Sequence, residues 1–276
     1  MMFEIGFLCG IRRCNMQKIT SKDNPNIKLY IKLAGGKKYR KENGLFTLEG
    51  VRLIEDAVKE NAELHSVFVT ESYVKKLAQQ GEALNFPDSV RMFEIPDEIG
   101  NKMSSTDSAQ GVFAICKCLE KPAFRDTVKN GGRYLLLHSI QDPGNLGTII
   151  RTADAVGVDA VFLADCCDLY NPKVVRSTMG SLFRLNISEI RFDEDFPLFE
   201  QRGVPSFAAV IDSDAASLTE CDFSKGGVIL IGNEGNGLPR EVSAACTEKL
   251  TIKMQGNVNS LNAAMAAGII MWELVK

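Results

Sequence analysis

Two features of this chain have residue types and spacings suited to chemistry: a set of short loops rich in glycine and asparagine, and one arginine. The run Asp142-Pro143-Gly144-Asn145-Leu146-Gly147 follows the apolar stretch RYLLLHSI. Asn145 offers a side-chain acceptor for a helix-terminal N–H, and Gly144 and Gly147 let backbone approach a ligand closely. Taken alone, the run also reads as an ordinary turn. Periodicity predicts a helix over 147–157, and in its first turns stands Arg151, flanked by Ile149, Ile150 and Ala153. A cation there opposes the helix dipole. A fixed guanidinium that holds an anion and polarises a neighbouring hydroxyl is chemistry that would justify the position. A snorkelling surface arginine is the plain alternative.

Two further loops have the same character. LIGNEGNGLP, Leu230 to Pro239, places Gly232, Gly235 and Gly237 directly after an apolar strand. Their order, G-x-x-G-x-G, reverses the dinucleotide fingerprint, and Pro239 precedes any helix, so a nicotinamide cofactor fits poorly. A phosphate-gripping Lys-Ser pair is missing, which disfavours a P-loop. In IKMQGNVNSLNAA, Ile252 to Ala264, a short strand breaks at Gly256 and gives way to a final helix. Ser260 is the expected N-cap of that helix, and Asn262 adds a second polar group at the junction.

Elements must hold these loops together. From Arg133 onward apolar strands alternate with helices: RYLLLHSI, a helix over 147–157, DAVFLAD, a helix over 172–180, SFAAVI, GVILIG and a closing helix from Ser260. That alternation predicts an α/β fold with a mostly parallel sheet and helices on both faces, with ligands outside the carboxyl ends of the strands. The final helix carries apolar or small residues all round, so it is expected to be buried on several sides, against the sheet or a second subunit. The preceding half reads as a smaller α/β domain, residues 17–118, with a basic helix to about Lys41 and strands at LFTLEG, SVFVT and GVFAICKCL. Residues 119–132, with proline, charge and a double glycine, are the expected linker. Residues 1–16 are expected to be a disordered leader, and 133–276 to form the second domain.

Charge is uneven. Residues 17–41 hold eight basic residues and one acidic one, +7 in a chain of net charge −3, so the remainder carries −10. Such a segment suits a phosphate backbone or, equally, a solvated helix face. The eight cysteines form no C-x-x-C pair, and the adjacent Cys166 and Cys167 suit neither a disulfide framework nor zinc, so no metal is expected and a reducing cytoplasm fits. No apolar run approaches the roughly 20 residues of a membrane span.

DPGNLGTIIRTADAVG, NPKVVRSTMGSLFRL, LIGNEGNGLP and IKMQGNVNSLNAAMAAG, in that order, together resemble the SpoU (TrmH-like) branch of the SPOUT superfamily of RNA ribose 2'-O-methyltransferases. SKDNPNIKLYIKLAGGKKYRKENGLFTLEGVRLIEDA is similar to the amino-terminal RNA-binding domain of the ribosomal-RNA members. The resemblance implies a carboxy-terminal trefoil knot, a homodimer formed through that domain, and S-adenosylmethionine as cofactor. It puts cofactor contacts on Gly232, Asn233, Glu234, Ile252, Met254 and Leu261, with Glu234 also a loop brace. Arg151 matches the catalytic arginine, Asn145 its companion, and Ser260 and Asn262 the pair that orients the substrate. Arg176, before the Met-Gly step, and Lys28, Lys32, Lys37, Lys38 and Arg40 are the expected RNA contacts. Thr178 stands where many relatives carry serine.

The expected reaction is methyl transfer to a ribose 2'-hydroxyl, most naturally in large-subunit ribosomal RNA. Arg151 would hold the adjacent phosphate and polarise the hydroxyl. A guanidinium does not give up its proton in a protein and so makes a poor base, which leaves water or a phosphate oxygen to take the proton. His65 and His138, the two histidines, lie in no motif loop. A transfer-RNA substrate, a non-catalytic RNA-binding factor and a nucleotide-dependent oxidoreductase are the competing readings.

Overall fold

A computed structural model describes residues 16–82, 84, 86–106 and 109–276; the expected leader therefore lies almost wholly outside the described residues. The chain divides into two compact units, Met1–Lys117 and Cys118–Lys276.

In the first unit the order is β1 (Gln17–Lys18), α1 (Pro25–Gly35), α2 (Lys37–Asn43), β2 (Leu45–Glu49), α3 (Val51–Lys59), β3 (Leu64–Thr70), α4 (Glu71–Gln80), β4 (Arg91–Ile95), α5 (Asp97–Met103) and β5 (Val112–Lys117). The sheet runs β1-β4-β3-β5-β2, with β1, β4 and β3 parallel and β5 antiparallel to both its neighbours. The single basic helix expected here is two. Asn24 caps α1 by accepting from the Asn26 N–H, Pro25 occupies its first turn, and extended Gly36 breaks it before α2.

That break explains one correction. Arg40, expected to contact RNA, is only 4% exposed; its guanidinium donates to the carbonyls of Leu33 and Ala34, the open end of α1. It closes a helix terminus whose last carbonyls have no partner within the helix.

The second unit contains α6 (Phe124–Thr127), β6 (Arg133–His138), α7 (Pro143–Val156), β7 (Ala160–Ala164), α8 (Pro172–Ser177), α9 (Ser181–Arg184), β8 (Asn186–Glu189), α10 (Phe192–Asp195), α11 (Pro197–Gln201), β9 (Ser206–Ala209), β10 (Ala216–Ser217), β11 (Gly227–Ile231), α12 (Arg240–Ala244), β12 (Glu248–Thr251) and α13 (Ala263–Val275). All seven strands are parallel, in the order β10-β12-β9-β11-β6-β7-β8. From β6 the chain moves outward through β7 and β8, then crosses to the other side for β9 and β11. The carboxyl ends of β6 and β11 therefore lie at the point where strand order reverses, the place where open α/β sheets gather ligands.

Residues 119–132, read from sequence as a linker, are built into this second unit. Phe124 packs edge-on against Phe162 and Phe199, with ring centroids 4.9 and 5.5 Å apart, and Val128 is fully buried. The Tyr134 hydroxyl accepts from the Lys129 N–H at 2.8 Å and donates to the Thr127 carbonyl at 3.0 Å. A Cβ at Gly132 would lie 2.0 Å from that hydroxyl, so the double glycine serves packing. Each of these buried large side chains contributes about 1.5–3 kcal/mol. Among the described residues no helix is long and apolar enough to cross a membrane. The described cysteines, Cys116, Cys118, Cys166, Cys167, Cys221 and Cys246, are free.

Candidate methyl-transfer site

The helix carrying Arg151 starts earlier than periodicity suggests. Asp142 is its N-cap and accepts from the Asn145 N–H at 2.8 Å, with Pro143 in the first turn. That hydrogen bond first, and the Lys173 ammonium 3.5 Å away next, hold the Asp142 carboxyl below the usual carboxylate value against a smaller cost of burial. Arg151 accordingly sits in the third turn of α7, clear of the positive end of the dipole, and the electrostatic objection to it lapses. It is exposed, and among the described residues it has no hydrogen-bond or ion-pair partner.

Gly144 and Gly147 face protein. A Cβ at Gly147 would lie 2.4 Å from Ser177 Cβ and 2.8 Å from the Val174 carbonyl, so this glycine lets α8 cross α7. A Cβ at Gly144 would meet Asp142 Oδ1 at 2.9 Å.

Glu234 ties the second loop to the first. Its Oε1 accepts from the Asp142 N–H at 3.1 Å and from Asn145 Nδ2 at 3.0 Å, and its Oε2 accepts from the Gln141 N–H at 3.3 Å. Burial raises the pKa of this carboxyl, but the bonds from Asn145, Asp142 and Gln141 outweigh it, and the group titrates below its ordinary value. Glu234 is therefore an ionised acceptor, a brace. Asn233 donates to the Ser139 carbonyl at 2.9 Å and accepts from the N–H groups of Gly235 and Asn236. The loop closes on itself through Asn233 and Gly237, which exchange backbone hydrogen bonds of 3.1 and 2.9 Å. A Cβ at Gly232 would lie 2.2 Å from the Gly237 carbonyl carbon, which fixes glycine there.

Asn145 also reaches the third loop. Its Oδ1 accepts from Asn262 Nδ2 at 3.0 Å, across 117 residues of sequence. Asn262, and not Ser260, caps α13: its Oδ1 accepts from the N–H groups of Ala264 and Met265 at 2.9 and 3.3 Å. One chain of hydrogen bonds thus runs Glu234, Asn145, Asn262, α13, and brings all three loops to the same end of the sheet. Ser260 is exposed two residues before the cap.

Residues 254–261 are built in the opposite way. Among the described residues no hydrogen bond ties them to the rest of the chain, and a Cβ at Gly256 would meet nothing within 4 Å. Ile252 and Met254 are partly exposed and Leu261 is exposed at 37%. Unpaired backbone donors and acceptors flanked by apolar side chains match a flat heteroaromatic ring with a polar edge, so the donor set fits S-adenosylmethionine. Among the described residues no cluster of metal-ligating side chains occurs.

Sequence reasoning missed Gln141 and Asp165. Gln141 donates through Nε2 to the Asp165 carbonyl at 2.8 Å and through its N–H to Glu234. Ser139 and Asp165, just past β6 and β7, hold left-handed backbone (φ 58° and 53°). Such backbone in residues other than glycine concentrates at functional sites. Arg176 lies half-buried in the last turn of α8, and the fully buried Thr178 hydroxyl donates to the Val175 carbonyl at 2.7 Å. His138 ends β6 on the face of Leu136, against the Phe192 ring, away from α7. His65 belongs to the first unit, against Arg91. Of the other predicted RNA contacts, Lys28 pairs with Asp23, Lys38 with Glu42, Lys32 lies over the Tyr39 ring, and Lys37 is exposed.

Comparison with known proteins identifies the family. Residues 132–272 match the SpoU rRNA Methylase family, and residues 16–114 match the MRM3-like substrate binding domain. The chain is 30% identical to a 23S rRNA (guanosine(2553)-2'-O)-methyltransferase of Bacillus subtilis, over 94% of this chain and 99% of that one. It is 30% identical to a 23S rRNA (uridine(2479)-2'-O)-methyltransferase of Streptomyces viridochromogenes, over 97% and 94%. An AdoMet-bound rRNA methyltransferase from Sinorhizobium meliloti superposes with a TM-score of 0.82 at 30% identity, covering 94% of this chain and 97% of that one. The chain belongs to the SpoU rRNA methylase family.

Proposed function

We propose that this protein transfers the methyl group of S-adenosylmethionine to a ribose 2'-hydroxyl of RNA, with large-subunit ribosomal RNA as the substrate. The observation that carries the reading is the hydrogen-bonded chain from Glu234 through Asn145 to Asn262, which gathers three loops at the end of the helix whose Arg151 has no partner among the described residues. Residues 254–261, with Ile252 and Leu261, would hold the adenosyl part of the cofactor through backbone groups and packing. When bound, the cofactor would supply an electrophilic sulfonium methyl: the ribose oxygen would take it as the S–CH3 bond breaks and the neutral thioether leaves, and the hydroxyl proton would pass to water or a phosphate oxygen. Arg151 binds the adjacent phosphate and polarises the hydroxyl. Ser260 faces the substrate side, and Asn145 and Asn262 keep the loops in register. Arg176 and the exposed Lys28, Lys32, Lys37 and Lys38 bind the RNA backbone.

A homodimer completes this reading. Met265, Ile269 and Trp272 recur along one face of α13 and are 61%, 42% and 60% exposed. The helix is expected to be buried against the sheet or a second subunit, and an exposed apolar stripe with a tryptophan suits the second subunit. Because Gly268 of α13 packs on Thr152 of α7, a partner seated there comes close to Arg151. The carboxy-terminal knot belongs to the same proposal: α13 follows β12 yet packs against α7, β6 and β11, as a chain returning through the fold would. The free cysteines suit the cytoplasm.

The test is transfer of labelled methyl to an unmodified 23S rRNA transcript. Arg151→Ala is expected to bind S-adenosylmethionine like the wild type and to lose about 100- to 1,000-fold in kcat, the usual cost of one electrostatic donor. Turnover near wild type in that variant overturns the reading.

A further inference from the structure

Arg151 lies three residues before Asp154 on α7, and side chains three apart on a helix are neighbours. Asp154 is the only acidic residue within α7. Left uncompensated, its carboxylate would harm the site twice. It would draw the Arg151 guanidinium into an intrahelical pair, and it would set negative charge near the place where an RNA phosphate binds.

The structure holds that carboxylate elsewhere. Nε and Nη2 of Arg184, on α9, both donate to Asp154 Oδ2, at 3.0 and 2.8 Å, and Nη2 also donates to Ser181 Oγ at 3.3 Å. The side chains are 39% and 22% exposed, so solvent ions screen them less than a fully exposed pair. Both α8 and α9 pack on α7, joined through two consecutive left-handed residues, Met179 and Gly180 (φ 49° and 87°). Arg151 meanwhile keeps no partner among the described residues.

We propose that Arg184 is a positioning residue of the methyl-transfer site: it neutralises Asp154 and holds it against α9, which leaves the Arg151 guanidinium free for the substrate phosphate. This rests on the role given to Arg151 above. Arg184 acts through Asp154, so the harm of losing it is undone by removing the carboxylate.

The experiment compares full-length wild type, Arg184→Gln, Asp154→Asn, the double variant and Arg151→Ala on an unmodified 23S rRNA transcript, at low and raised potassium chloride. S-adenosylmethionine affinity and thermal midpoint are measured alongside. Arg184→Gln is expected to lose about fivefold in kcat/KM, the effect of one unit charge several ångströms away in partly screened surroundings. The loss falls mainly on KM for RNA, shrinks as salt rises and leaves cofactor affinity unchanged. Adding Asp154→Asn restores activity to within about twofold of wild type. A double variant no better than Arg184→Gln, or an Arg184→Gln enzyme indistinguishable from wild type, overturns the inference. Should Arg184→Gln fail to fold, Arg184→Lys keeps the charge and is expected to stay within about twofold of wild type; a larger loss that Asp154→Asn does not relieve counts against the inference. An active Arg151→Ala removes the reading of the site and this inference with it. An inactive Arg151→Ala without rescue removes the inference alone.

Discussion

The loops at 232–239 and 252–261 look alike in sequence, both short, glycine-bearing and rich in asparagine, yet they are opposite in construction. The first spends its polar groups internally: Glu234 accepts from Gln141, Asp142 and Asn145, Asn233 caps its own turn, and Gly232 is pressed against Gly237. From residue 254 the second makes no hydrogen bond to the rest of the described chain. A loop whose donors and acceptors are consumed is a scaffold, while one whose groups are left over is a binding surface. On the proposed reading, the residues assigned to the cofactor by resemblance would divide into a brace (Gly232, Asn233, Glu234) and a contact set (Ile252, Met254, Leu261).

Substitutions in the two loops should separate into loss of alignment and loss of affinity. Glu234→Gln is expected to have the largest effect. It replaces one of two acceptor oxygens by an amino group with two donors, where four donors converge on the carboxylate. Misalignment of Asn145 lowers kcat about a hundredfold, in line with the cost of an ångström-scale misplacement, and the thermal midpoint of the second unit falls by several degrees. The folded-state pKa of Glu234 is lowered, so its stabilisation is present above the ordinary carboxylate pKa of about 4.3 and is lost as pH falls through the lowered value. Acid titration of stability should show this limb in the wild type and a flatter one in Glu234→Gln. Identical acid limbs would return Glu234 to an incidental surface acid.

Gly147→Ala comes next. With Ser177 Cβ at 2.4 Å and the Val174 carbonyl at 2.8 Å from the added methyl, α8 must move, at about 1–3 kcal/mol. Differential scanning calorimetry reads that as a lower midpoint; an unchanged midpoint would mean that the two helices shift freely.

In the first unit the contrast lies between cations of one cluster. Arg40→Ala should destabilise that unit by about 1–3 kcal/mol, because two carbonyls lose their donor, and leave the salt dependence of RNA binding as it was. Replacing Lys32, Lys37 and Lys38 with alanine should do the reverse, reducing the slope of log affinity against log salt by about 0.7–0.9 for each phosphate that is no longer neutralised. A slope altered by Arg40→Ala and untouched by the lysines would invert the assignment.

Ile252→Ala is the mildest. Its prediction is about a fivefold rise in the Kd for S-adenosylmethionine, close to 1 kcal/mol of apolar contact, with no change in thermal midpoint. Calorimetric titration showing unchanged affinity together with lowered stability would make Ile252 a core residue and erase the distinction between the loops.

Much of the second unit is legible in the sequence because apolar strands and amphipathic helices alternate cleanly from Arg133, and the motif loops stand at strand ends. What escapes depends on choices that local pattern does not make. Asp142 is as good a cap as any residue after it and Pro143 suits a first turn, but Pro-Gly also reads as a turn, so periodicity alone starts α7 too late. Ser260 and Asn262 are both good caps before the same apolar run; contact with Asn145 decides for Asn262. Arg40 reads as a surface residue because arginines rarely bury, and only the broken helix before it supplies carbonyls to receive it. Gln141 joins the site through its own N–H and the Asp165 carbonyl, backbone groups that carry no side-chain signature. The pairing of Asn145 with Asn262 is wholly non-local.

The central claim is that these loops and Arg151 form one site for ribose methylation. The most direct measurement is a map of 2'-O-methylation across 23S ribosomal RNA from cells with the gene, without it, and complemented with either the wild type or Arg151→Ala. The account predicts that one nucleotide loses its methyl group on deletion and regains it with the wild-type gene alone. Identical maps in all four strains, or restoration by Arg151→Ala, would contradict it.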